Sequence, residues 1–80
     1  MRLEVVSTER RVFEGKVSRV LVPGSKGPFE ILRNHAPIVS TLNAGTIKII
    51  DNSGMESLIE VKGGLVEVNN NSISILVESV

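Results

Sequence analysis

An all-β architecture, two antiparallel sheets packed as a sandwich or flattened barrel, is the natural reading of this 80-residue chain. Three features carry it. Val and Ile together fill twenty positions, whereas Ala occurs only at Ala36 and Ala44; β-branched side chains suit a pleated sheet, and Ala is the strongest helix former. Turn-forming residues punctuate the chain every six to ten positions, the spacing of a sandwich or barrel. Finally, Gly, Asn or Pro interrupts nearly every stretch long enough to hold an amphipathic helix.

Leu3 to Ser7 reads as the first strand and Arg11 to Glu14 as a short second one, with Gly15 breaking the run. Lys16 to Val22 follows, Val17, Arg19 and Leu21 facing one way and Ser18, Val20 and Val22 the other. Pro23-Gly24-Ser25-Lys26-Gly27-Pro28 is the densest loop signal in the chain. Phe29 to Leu32 is a short strand, Phe29 serving the core or anchoring its rim, and Arg33 to Pro37 is a second loop. Pro37 drives Ala36 towards an extended backbone and gives that loop a defined shape.

Ile38 to Leu42 and Thr46 to Ile50 flank Asn43-Ala44-Gly45, read as a compact three-residue hairpin turn with positive φ expected at Gly45. Asp51 to Gly54 leads into a strand from Glu56 to Lys62. Gly63-Gly64 has the two-residue spacing of a tight hairpin, with positive φ expected at one or both glycines. Leu65 to Val68, a turn over Asn69 to Ser72, and an alternating strand from Ile73 complete nine or ten short strands in one domain spanning residues 1–80. Two packed antiparallel sheets bury that many half-apolar strands.

Composition removes several function classes. A chain this short has a thin core. Without cysteine there are no disulfides and no thiolate metal sites. Nine basic and nine acidic residues balance without a run of either sign, which argues against nucleic acid, and Phe13 and Phe29 are too few for a base-stacking platform. No stretch has the length of a membrane-spanning helix, and Met1-Arg2-Leu3-Glu4 does not resemble a signal peptide, so the mature protein is expected to begin near Met1.

Catalytic equipment is equally sparse. His35 and Asp51 are the sole histidine and aspartate, no cluster has metal-ligand spacing, and no glycine-rich loop leads into a helix that could hold a phosphate. None of the nine serines sits in a Gly-flanked nucleophile elbow. Glu56 and Glu60 share the polar side of a strand and read as a solvated face. His35 is expected to be exposed or hydrogen-bonded to nearby backbone. Neither catalysis, a cofactor nor a metal is expected.

The order of segments is more specific than any one motif. Leu3-Glu4-Val5-Val6-Ser7, Val12-Phe13-Glu14-Gly15, Pro23-Gly24-Ser25-Lys26-Gly27, His35-Ala36-Pro37-Ile38-Val39, Ala44-Gly45-Thr46-Ile47-Lys48-Ile49 and Gly63-Gly64-Leu65-Val66-Glu67-Val68 follow one another along nearly the whole chain. This succession resembles the N-terminal β-sandwich domain of the F-type ATP synthase epsilon subunits. Two departures stand out. Glu30 and Arg33 replace a glycine and a proline common in that family. The chain also ends at Val80, before the helical hairpin that most members carry and that inhibits ATP hydrolysis or binds ATP in some.

The resemblance implies a non-catalytic rotor subunit of the central stalk, bound to the gamma subunit and the membrane rotor ring and helping to couple proton flow to ATP synthesis. Membrane contact would come only through the complex, on the cytoplasmic face of a bacterial inner membrane or the equivalent organelle side. By the same resemblance Ser25, Lys26, Phe29, Glu30, Arg33, Asn34 and His35 form the partner-facing region. The alternative from another class is a ligand- or carbohydrate-binding sandwich, which the absence of Trp and Tyr disfavours.

Overall fold

β-branched runs separated by turn residues become strands wherever their ladders find partners. The computed structural model describes residues 1–78, which form β1 (Arg2–Ser7), β2 (Arg11–Val22), β3 (Phe29–Leu32), β4 (Ile38–Leu42), β5 (Gly45–Asp51), β6 (Glu56–Val61), β7 (Gly64–Asn69) and β8 (Ser72–Val77). One layer runs β4-β7-β8-β1-β2 and the other β3-β2-β5-β6, so β2 belongs to both. The sandwich is as the residues led one to expect. The strand count is lower because Gly15 does not break the chain: β2 is a single strand of twelve residues.

All neighbouring strands are antiparallel except β1 and β8, which pair in parallel from Arg2↔Ser72 to Ser7↔Val77. Fifteen Leu, Ile and Val side chains from both layers make one core, with no buried polar or charged side chain among the described residues. Phe13 and Phe29 lie only partly buried against it, which makes Phe29 a rim residue.

A bulge in β2 shifts the alternation expected for that strand. Val17 and Val20 are both fully buried while Ser18 and Arg19 face out, because the register against β5 slips between Val17 and Arg19. The Ser18 hydroxyl lies 3.1 Å from the Ile50 carbonyl and 3.2 Å from that of Asp51, so it donates to the backbone beside the slip. Beyond the bulge Val20 and Val22 point inward and Leu21 outward.

Two of the expected hairpins are layer crossings instead. β4 pairs with β7 and β5 with β2 and β6, so Asn43-Ala44-Gly45 carries the chain from one layer to the other, and Gly45 has no positive φ. Gly63-Gly64 likewise crosses from β6 to β7, which never pair. Gly63 has φ +150°, but Gly64 is constrained by space: a Cβ there would overlap the Leu76 carbonyl oxygen and lie 3.2 Å from Val77 Cα.

The true hairpins have their own chemistry. Asn70 and Asn71 join β7 to β8 with φ of 50° and 62°, the two positive values of a primed turn. Between β5 and β6, Gly54 takes φ 89° and Asp51 Oδ1 accepts hydrogen bonds from the Ser53 hydroxyl (2.7 Å), Ser53 N (2.8 Å) and Met55 N (2.9 Å). The Ser53 hydroxyl, followed by the Met55 amide, holds the Asp51 carboxyl below the ordinary value of 3.8. The folded state therefore binds fewer protons than the unfolded chain near that pH. Its stabilisation is full above the unfolded value and is lost as pH falls through the folded one. Asp51→Asn should accordingly melt earlier than wild type at pH 7, and the gap should narrow by pH 2 to 3. Urea midpoints at both pH values check this, and an unchanged gap would rule it out.

Candidate partner interface

The seven residues suggested by resemblance surround β3. At its start, the Pro23–Pro28 loop is tied across to the opposite layer: Ser25 N donates to the Thr41 carbonyl (2.9 Å), the Ser25 and Thr41 hydroxyls are 2.6 Å apart, and Gly24 bridges to Leu42. Gly24 is needed because the Phe29 ring lies on it; a Cβ there would approach Phe29 Cε1 to 2.8 Å and the Gly27 carbonyl oxygen to 2.7 Å. Lys26 occupies the exposed tip of this turn. In β3 itself Glu30 turns outward and pairs with Arg19 at 3.1 Å.

Past β3 the chain folds back. His35 N donates to the Leu32 carbonyl at 3.1 Å, and the His35 ring lies 6.4 Å from that of Phe29. Its Nδ1 is 2.7 Å from the Ala36 carbonyl oxygen; since a carbonyl only accepts, Nδ1 carries the proton. The expected backbone partner of His35 is therefore present. Asn34 takes φ 64° and bonds to Asn71 of the β7–β8 hairpin. Arg33 borders an open cavity of about 320 Å³ with Met1, Val17, Ser18 and Asn52.

The seven fall into two groups, with Phe29 and Glu30 of β3 between them. Ser25 and Lys26 precede β3, while Arg33 and Asn34 follow it, about 10 Å of strand away. The His35 ring, leaning towards Phe29, links the two groups. The polar groups that could serve chemistry are held in separate local networks: the Ser25 hydroxyl with Thr41, His35 with Ala36 and Asp51 with Ser53 and Met55. Among the described residues no three His, Cys, Asp or Glu side chains are grouped to hold a metal ion.

Residue-by-residue reading missed an apolar row on the outer surface of the first layer. Thr41, Leu65, Leu76 and Val6 are successive cross-strand partners on β4, β7, β8 and β1. Leu65 and Leu76 are 40% and 48% exposed, enough to make this more than a core edge. Val39, more exposed still, sits one row along, where Glu67, Ser74, Glu4 and Glu14 continue in polar fashion. The signal was an apolar residue in the outward phase of Ile75-Leu76-Val77 and of Leu65-Val66.

Comparison with known proteins agrees with this architecture. The family model described as the beta-sandwich domain of the ATP synthase delta/epsilon chain matches residues 1–80. ATP synthase epsilon chains of Leptospira interrogans and Maricaulis maris are each 42% identical over 78 residues; these cover 98% of this chain but 61% and 58% of those relatives. The chain thus spans about three-fifths of the length of the curated relatives it matches. A chain in the mitochondrial ATP synthase of Euglena gracilis superimposes with a TM-score of 0.90 at 20% identity, over 98% of this chain and 51% of that one. One in the central stalk and c-ring structure from Tetrahymena thermophila gives 0.80 at 20% identity, over 99% and 63%. At that identity the two superpositions establish the fold, and the family match over the whole length establishes the rest: this chain belongs to the ATP synthase delta/epsilon family and carries its beta-sandwich domain.

Proposed function

We propose that the chain works as a non-catalytic subunit in the central stalk of an F-type ATP synthase, bound to the gamma subunit and the membrane rotor ring, where it helps couple proton flow to ATP synthesis. The observation that carries this is the family match along the full chain, to relatives named as ATP synthase epsilon chains. The relevant surfaces are the two loops around β3 and the Leu65–Leu76–Val6 row, since stable interfaces centre on apolar patches with polar rims. The chain then reaches the membrane only through the complex, on the cytoplasmic side of a bacterial membrane or the equivalent organelle side. A carbohydrate-binding reading has little support, because both aromatic rings are partly buried against the core.

Reconstitution tests it. Added to an ATP synthase depleted of its own epsilon chain, these eighty residues should restore ATP-driven proton pumping. Lys26→Glu and Arg33→Glu should each raise the concentration needed by about two- to fivefold at low salt, and by less at high salt, where exposed charges are screened. No recovery with wild type would sink the proposal. Full recovery with both variants at low salt would remove those two residues from the interface.

A further inference from the structure

The β7–β8 hairpin does more than turn the chain. Asn71 makes three hydrogen bonds that tie the hairpin to two other segments. Its carbonyl accepts from Arg2 N at 2.9 Å, its Oδ1 accepts from Asn34 N at 2.7 Å, and its Nδ2 donates to Asn34 Oδ1 at 3.1 Å. The last two form a reciprocal pair between asparagines that both sit at positive φ, 64° and 62°. Asn tolerates that backbone while keeping an amide that donates and accepts, which glycine cannot do.

Apart from the His35 ring resting near Phe29, loop 33–37 has little else to hold it. Its remaining hydrogen bonds among the described residues are local: His35 N to the Leu32 carbonyl, and His35 Nδ1 to the Ala36 carbonyl. The amide pair is therefore the loop's long-range tether, joining residues far apart in sequence, and it lies between Arg33 and His35. Both bonds form at the surface, so water competes for them and the loop's order depends on the pair remaining closed.

We propose that Asn71 is a positioning residue for the partner-facing loop, fixing Arg33 and His35 through its reciprocal amide pair with Asn34. The partner side of this rests on the central-stalk reading. A pre-ordered loop binds without bearing its ordering cost at the moment of contact; a released loop binds more weakly but reaches the same bound state.

Asn71→Gly separates this role from a structural one. Glycine accepts φ 62° and retains the carbonyl that receives Arg2 N, so the hairpin stays intact and only the side-chain bonds are lost. Amide hydrogen exchange at Asn34, followed by NMR in the full chain, should accelerate about tenfold while the core amides hold. Asn34→Gly keeps the backbone donor and removes one bond, so it should relax the loop less. In the reconstitution assay, Asn71→Gly should need roughly three- to tenfold more chain for half-maximal coupling with an unchanged plateau. Unchanged Asn34 exchange overturns the tether. Faster exchange with unchanged half-saturation overturns the positioning role. If wild type itself restores nothing, the central-stalk reading fails and the partner role with it, while the tether is decided by exchange alone.

Discussion

Gly64→Ala should destabilise the domain by about 3 kcal/mol, lowering the melting temperature by roughly 12 to 24 °C for a domain of this size. The added methyl would overlap the Leu76 carbonyl oxygen and crowd Leu76 C at 3.3 Å and Val77 Cα at 3.2 Å. These are backbone atoms of a paired strand, so no rotamer change relieves the clash. Gly64 also lies opposite both Leu42 and Val77, and displacement of β7 would strain two ladders. Gly15→Ala is the matched control. It too lies within a strand, yet its new methyl would meet only the Phe13 ring at 3.6 Å, an ordinary contact. Its effect should stay within about 0.5 kcal/mol. Equal melting temperatures for the two variants would show that the close approach at Gly64 does not constrain the fold.

Ile75→Ala should cost a similar or larger amount, about 3 to 4 kcal/mol. Ile75 is opposite Val66 on one side and Val5 on the other, and all three are essentially inaccessible to solvent. The surrounding core is wholly aliphatic and drawn from paired strands, which close poorly around a cavity. For a small domain this is a large share of total stability. Leu76→Ala, one residue along on the half-exposed outer face, should cost much less, under about 1 kcal/mol. Urea denaturation of both variants checks the pair; a smaller loss at Ile75 than at Leu76 would invert the assigned faces of β8.

The strands were legible because their composition is local. Ile38–Leu42 and Phe29–Leu32 appear where the β-branched and aromatic runs put them. Pairing was harder to read. Gly63-Gly64 has the spacing of a hairpin, but spacing does not reveal that its flanking strands seek partners in different layers. The parallel match of β1 with β8 joins the two extremes of the chain and leaves no local trace. The slip at Ser18 carries neither Gly nor Pro to announce it. For the candidate interface, the loops around β3 were visible as turn residues. The Asn34–Asn71 pair was not, because asparagine in a loop signals a turn without naming its partner.

β2 has a mechanical meaning. Its twelve residues form one covalent rod paired with β1 along its first half and with β3 and β5 along its second. Ladder hydrogen bonds lie across the strands, so a pull along this rod loads many of them in shear together. A pull at right angles would open them one after another, starting at the end. Force entering through the Pro23–Pro28 loop along the second half of β2 meets the stiff direction of its ladders with β3 and β5, and reaches the other layer through the backbone of β2 itself.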